Sequence, residues 1–302
     1  MDRNMSVGSG SGERLLEELV RAAQPASPAE LPVVLNRYAE AMGLGRAVIY
    51  LVDIQQRLLV PLVEGEPELE LDTSLAGWAY RTDSLRVEEG PSGELNVWLP
   101  LADGAERLGV VELHMSTLDG LKLRRCRTTA LLLALIITSK RTYSDTIAQR
   151  MRTRPMHLPT EMVRAFLPPR SIGTGRVVST AVLEPAYEPG GDAFDHGFTK
   201  DVLHATILDG MGNNLASGLA TSVAMAGCRN ARRSGANLNE LVGTVDLARL
   251  MRWGGQPRGT GECGIPAEAV RNPPVPGGPS GILRAHTLPE SGMPRAHDAD
   301  IP

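Results

Sequence analysis

Two aspartates lie beside glycines in the second half of the chain, Asp192 in Gly190-Gly191-Asp192 and Asp209 in Asp209-Gly210-Met211-Gly212. Carboxylates supply charge and oxygen ligands for a hard cation, while adjacent glycines let the backbone approach the ion and offer a carbonyl. Either step alone is also an ordinary turn. The two aspartates stand 17 residues apart, and a small-residue helical run, Leu215-Ala216-Ser217-Gly218-Leu219-Ala220, follows the second. Together they read as a cation site at the edges of two strands. Asp195 and Glu188 are near in sequence, but solvated turn carboxylates are the commoner role for such residues. His196 and His204 read as surface or strand-face side chains, because hard Mg or Mn sites favour oxygen.

The chain that must position these groups has 302 residues, a formal net charge of -4 and 42% apolar residues, the profile of a cytoplasmic protein of about two domains. That charge excludes a strongly basic nucleic-acid binder. Only Lys122, Lys140 and Lys200 are lysines, so positive charge is carried almost wholly by arginine, as GC-rich coding DNA would produce. Cys126, Cys228 and Cys263 are too widely spaced for a metal clip or a disulfide framework, which fits a reducing compartment. The longest apolar run, residues 130–137, falls well short of the ~20 residues of a membrane-spanning helix, and the amino terminus has no apolar signal core.

Residues 1–12 are Gly/Ser-rich and are expected to be disordered, with a first helix starting near Glu13. Ser27-Pro28-Ala29-Glu30 is a capping box, and Leu31, Val34, Leu35, Tyr38, Ala39 and Met42 mark one apolar face of a second helix that Gly43 ends. Strands follow at 46–53 and 57–63, then a charged loop over 64–72 and a short helix from Ser74. Two further strands, from Leu95 and from Arg107, flank the tight-turn step Asp103-Gly104. This order describes a small sheet with helices on one side. The stretches SPAELPVVLNRYAEAMGLGRAVIYLVD, SLAGWAYRT and VWLPLADGAERLGVVELH resemble a GAF sensory domain spanning 13–118. The resemblance implies small-ligand sensing or dimerisation. No cysteine lies in the segment to attach a chromophore, and its only histidine, His114, reads as a half-buried strand residue. Trp78, Tyr80 and Trp98 either line a ligand pocket or pack the core.

Residues 121–150, LKLRRCRTTALLLALIITSKRTYSDTIAQR, lack Gly and Pro and read as one long helix within a linker over 119–158. Such a helix either pairs with its copy in a homodimer or docks on the preceding sheet, because no strict heptad is sustained. Beyond it, FLPP, AYEPGGDAFD, ATILDGMGNNLASGLATSVAMAG and ARRSGANLNELVGTVD resemble the metal-dependent PPM-type protein serine/threonine phosphatases, in their SpoIIE-like branch, over about 160–246. In that family two Mn2+ or Mg2+ ions activate a water that attacks phosphoserine or phosphothreonine on a phosphoprotein substrate, often an anti-sigma-factor antagonist. By resemblance Asp209 bridges the metals, Gly210 offers its carbonyl to one, and Asp192 matches a second metal-contacting aspartate. Asn213 stands where relatives usually carry histidine, and the later half of the family's domain is not recognisable.

From 254 to 302 the chain holds nine glycines and nine prolines, a disordered composition in which Glu262, Glu268, Asp298 and Asp300 have no strand to fix them as ligands. The composition break at 246–253 is what a shift of reading frame would produce. The expected architecture is therefore α/β and α+β in two domains. Disordered residues 1–12 precede a GAF-like sheet with helices over 13–118 and a linker helix over 119–158. The first half of a PPM-type β-sandwich flanked by helices occupies 159–250, and 251–302 is a disordered tail. The function expected from both resemblances is a signalling phosphatase under GAF control, impaired by loss of the second half of its catalytic domain, without nucleic acid or membrane. The alternative is a catalytically inert sensor or dimerisation module.

Overall fold

Along RAVIYLV every residue but the first is buried, so this strand must be covered on both faces. A computed structural model describes residues 7–188, 190–199, 202–210, 212–237, 239–241, 243 and 281–286, the stretches 7–11 and 281–286 as backbone only. The chain divides into two units, one comprising Met1–Pro155 with Arg170–Thr180, the other Met156–Pro169 with Ala181–Pro302.

The first unit runs α1 (Val7–Ala23), α2 (Leu31–Ala41), β1 (Arg46–Val52), β2 (Leu58–Pro61), β3 (Leu69–Glu70), α3 (Leu75–Thr82), β4 (Arg86–Glu89), β5 (Leu95–Asp103), β6 (Glu106–Met115), α4 (Gly120–Arg141) and α5 (Asp145–Met151), and ends on the hairpin β7 (Ser171–Gly173) with β8 (Val178–Thr180). Six strands form an antiparallel sheet in the order β3-β2-β1-β6-β5-β4. It is a mixed α/β architecture.

Period-two alternation sends Ala47, Ile49 and Leu51 to one face, where they pack with Leu19, Leu35, Leu133 and Ile137 from α1, α2 and α4. Val48, Tyr50 and Val52 go to the other, beneath Ala76, Ala79 and Tyr80 of α3. The expectation of helices on one side is thus corrected: α3 closes the second face, because β1 and β6 are apolar at successive positions and neither face can be left to water.

Local signals explain most boundaries. Ser74 caps α3 by accepting from the Gly77 amide at 2.9 Å. At the start of α2, Glu30 reaches back to the Ser27 amide at 2.8 Å, and the Ser27 hydroxyl donates to the same carboxylate. Gly104, with φ 60°, makes the two-residue turn between Asp103 and Glu106. Two expectations change. Helix α1 begins at Val7, ahead of Glu13 and inside the stretch expected to be disordered. The single helix over 121–150 is instead two, because the Ser144 hydroxyl accepts from the Ile147 amide at 3.4 Å and opens a new helix. Helix α4 is docked rather than free, burying Cys126, Ala130, Leu133, Ala134 and Ile137 in the core. Its Lys140 is buried too, and donates to the Gln24 and Ala26 carbonyls at 3.1 and 2.5 Å.

The second unit contains α6 (Leu158–Phe166), β9 (Ala193–Phe198), β10 (Val202–Leu208), α7 (Leu215–Arg233) and β11 (Gly281–His286). Strands β11, β10 and β9 form an antiparallel sheet. Strand β11 falls within 251–302, so over these six residues the structure departs from the expected absence of structure; the rest of that stretch lies outside the described residues. Val163, Ala193, Leu208, Ala224 and Met225 form a small core, and Gly218 lets α7 approach α6, since a Cβ there would stand 3.0 Å from the Pro159 carbonyl. Leu215, Leu219 and Val223 leave an apolar stripe of α7 exposed. Among the described residues, no helix is long and apolar enough to cross a membrane.

Candidate functional site

Strand register decides where the two glycine-flanked aspartates meet. Ala193 pairs with Leu208, so Asp192 just before β9 and Asp209 just after β10 fall side by side. The glycines make that approach possible: a Cβ on Gly191 would overlap the Gly210 carbonyl, and the Gly210 amide donates to the Gly191 carbonyl at 3.2 Å. Thr221 of α7 donates its hydroxyl to the same Gly191 carbonyl, tying the loop to the helix. Burial raises the Asp192 pKa above the usual carboxylate range, and the Asp209 charge beside it raises it further.

A carboxyl group whose folded pKa lies above its unfolded value of about 3.9 penalises folding when ionised, and the penalty fades as pH falls through the folded pKa. Without divalent cations, the second unit of the wild-type protein should therefore gain stability relative to Asp209→Asn as pH drops below neutral. Unfolding midpoints of the two proteins across that range check this, and parallel profiles would refute it.

The other carboxylates and histidines separate from this pair. Glu188 is exposed. Asp195 is buried, and accepts from Arg229 Nε and Nη2 at 3.0 and 2.7 Å and from Arg232 Nη1 at 2.6 Å. It is an internal counter-ion, not a solvated turn carboxylate. His196 is buried on β9 with Nε2 2.7 Å from the Pro169 carbonyl, and His204 is half-buried on β10 opposite Gly197. Asn213 is exposed beside Gly190. Among the described residues, no group of three or more His, Cys, Asp and Glu is placed to hold a metal ion. Two adjacent carboxylates fit part of the shell of one hard cation; among the described residues a second ion finds no further such ligand there. Glu262, Glu268, Asp298, Asp300 and Cys263 lie outside the described residues.

A second constellation occupies the sheet face under α3. Register brings Arg86 opposite Trp98, Trp98 opposite Glu112, Asn96 opposite His114 and His114 opposite Arg46, all on the face that carries Val48 and Tyr50. Glu112 is buried within the apolar run of β6, with Oε2 3.3 Å from His114 Nε2. Tyr50 packs on Trp98 with ring centroids 5.9 Å apart, and burial raises its phenol pKa, Glu112 adding to the effect. Besides His114 Nε2, whose near neighbour is the Glu112 carboxylate, Arg86 Nε, Asn96 Oδ1 and Trp98 Nε1 are buried with no hydrogen-bond partner in the protein. Such groups carry the full desolvation penalty of about 1–3 kcal/mol each.

Of the three aromatics singled out from sequence, Tyr80 and Trp98 lie in this cluster. Trp78 is exposed, with the Arg86 guanidinium 4.2 Å from its ring centroid. Sequence reasoning missed Arg86, Asn96 and Glu112. The signal was there for Glu112, an acidic residue inside the buried run VVELHM.

No family model matches the chain, and no curated protein matches it. Among solved structures, the chain is similar to the crystal structure of the GAF domain from Acinetobacter phosphoenolpyruvate-protein phosphotransferase, with 16% identity and a TM-score of 0.39 over 47% of this chain and 98% of that one. It is also similar to the GAF domain of a phosphoenolpyruvate-protein phosphotransferase from Coxiella burnetii, with 14% identity and a TM-score of 0.39 over 43% of this chain and 94% of that one.

Proposed function

We propose that the chain is a cytoplasmic signalling protein whose first unit is a GAF-type sensor, taking a small polar ligand on the sheet face beneath α3. One observation carries this reading: three buried polar atoms, on Arg86, Asn96 and Trp98, share that face without a protein partner, beside the His114–Glu112 pair. A fold that needed these residues only for packing would have no reason to bear that penalty, whereas a ligand offering both donors and acceptors would relieve it. Replacing Asn96 by leucine then removes a penalty rather than a bond. The variant should match or exceed wild-type stability by about 1 kcal/mol in urea unfolding without added ligand. A loss of 1 kcal/mol or more would show that Asn96 is a structural residue and sink the reading.

A second reading is favoured by the adjacency of Asp192 and Asp209. The second unit, which resembles the first half of a PPM-type phosphatase domain, holds Mn2+ or Mg2+ through these two carboxylates with the Gly210 carbonyl nearby. A bound ion would supply Lewis-acid activation of water toward a phosphoserine or phosphothreonine protein. The chain's own contribution is to hold the carboxylates together at the register-fixed ends of β9 and β10, with Asp192 half-buried and Asp209 open to solvent, so that two negative charges converge on one cation. Mn2+ should raise the unfolding midpoint of the full chain, and Asp209→Asn should abolish that shift. Hydrolysis of a phosphoserine peptide should be Mn-dependent and lost in the same variant. A cation effect unchanged in Asp209→Asn would end this reading and leave the sensor reading standing. Homodimerisation along the exposed Leu131 and Leu135 of α4 belongs to the sensor reading, and light scattering of the full chain tests it.

A further inference from the structure

The first unit contains a cleft of about 180 Å3 where the β5–β6 turn meets the β7–β8 hairpin. With Gln56, the residues Tyr80, Glu106, Arg107, Arg170, Ser171 and Thr180 supply its polar lining. Glu106 is buried, and its charge is already answered: Oε2 accepts from the Ser171 amide at 2.7 Å, while Oε1 lies 3.5 Å from Arg141 Nη1 and 3.8 Å from Arg170 Nε. The exposed Arg107 adds a further positive charge at the rim, so the lining itself sets two guanidiniums, Arg107 and Arg170, against the one carboxylate of Glu106.

The hydrogen-bond inventory leans the same way. Arg170 Nη1 is buried with no protein partner, and its Nη2 makes only a 3.4 Å bond to the Arg107 carbonyl. Ser171 and Thr180 share one bond at 2.9 Å between their hydroxyls, which leaves a second hydroxyl hydrogen to donate. The Tyr80 phenol, whose pKa burial raises further, adds another donor. A cleft with surplus donors and surplus positive charge is complementary to a compact guest rich in acceptor oxygens.

We infer that this cleft is a binding site for a small oxyanion, phosphate or carboxylate, held by Arg170 with Arg107, Tyr80 and the Ser171–Thr180 hydroxyl pair. The hairpin that completes it is flanked in sequence on both sides by residues of the second unit. Anion occupancy therefore fastens a segment through which the chain passes from one unit to the other and back.

The experiment uses the full chain, titrated at constant ionic strength with inorganic phosphate and, separately, with acetate, against a chloride control. Calorimetry should give saturable binding of at least one of the two, and hydrogen exchange at 171–180 should slow when it binds. Phosphate binding alone identifies a tetrahedral guest, and acetate binding alone a planar one; either supports the site. Arg170→Gln should weaken binding about tenfold or more. Since that change could also loosen the hairpin, Arg107→Gln at the exposed rim serves as the second variant, with binding weakened several-fold and exchange at 171–180 without anion unchanged. Absence of saturable binding for both anions, or affinities untouched by both substitutions, would overturn the inference.

Discussion

Asp195→Ala should unfold the second unit selectively, lowering its stability by about 3–5 kcal/mol, because removing one partner of a buried ion pair strands the other. Two arginines are stranded here. Arg229 offers Nε and Nη2 and Arg232 offers Nη1 to a carboxylate that is 1% exposed, and the Arg229 guanidinium also donates to the Phe166 carbonyl at the end of α6. One side chain of β9 thus holds the last turns of α7, and through Arg229 the end of α6. Hydrogen exchange resolved to β9 and α7 should show the loss there, while amides of β1 and β6 in the first unit stay protected. The loss should be the same with and without Mn2+, which separates this counter-ion from the cation role proposed for Asp209. An Asp195→Ala protein of wild-type stability would show that solvent, not Asp195, balances the two arginines.

Gly109→Ala should cost about 3 kcal/mol in the first unit, at the upper end for overpacking, and lower its unfolding midpoint by about 10 °C. A Cβ at this position would overlap the Tyr50 carbonyl oxygen and stand 2.9 Å from the Leu51 Cα. Those are backbone atoms of β1, paired with β6 through Leu51 and Gly109, so no side chain can turn aside to make room. Separating β1 from β6 splits the sheet at its centre and pulls Tyr50 away from the polar face under α3. Near-ultraviolet circular dichroism, which reports the Tyr50–Trp98 packing, should lose intensity together with the fall in midpoint. A substitution tolerated within 1 kcal/mol would mean that the two strands are less closely held than the register indicates.

Much of the first unit is legible in its residues. The face of α2, the Ser74 cap, the Asp103-Gly104 turn and the strand runs at 46–53 and 107–115 all follow from patterns a few residues long, and the observed elements begin and end close to them. The break between α4 and α5 was also written locally, in Ser144, but a cap within an otherwise helical run competes with continuation and only packing decides between them. Trp78 and Trp98 look alike as aromatics in sequence. One became a solvent-facing platform for Arg86 and the other a buried partner of Tyr50, a difference set by which face each strand or helix turns inward.

By itself the sequence determined the secondary-structure periods, the turn chemistry and the carboxylate–glycine steps at Asp192 and Asp209, because each depends on neighbours within a turn of chain. Only the tertiary structure decided that Asp192 and Asp209 touch, that Asp195 is taken by two arginines, that Arg86, Asn96, Trp98 and His114 share one face, and that Glu106 meets Arg170. Those pairings join residues far apart in sequence. They depend on strand register, where a slip of one residue reverses every side chain, and on desolvation, which no residue carries until others cover it.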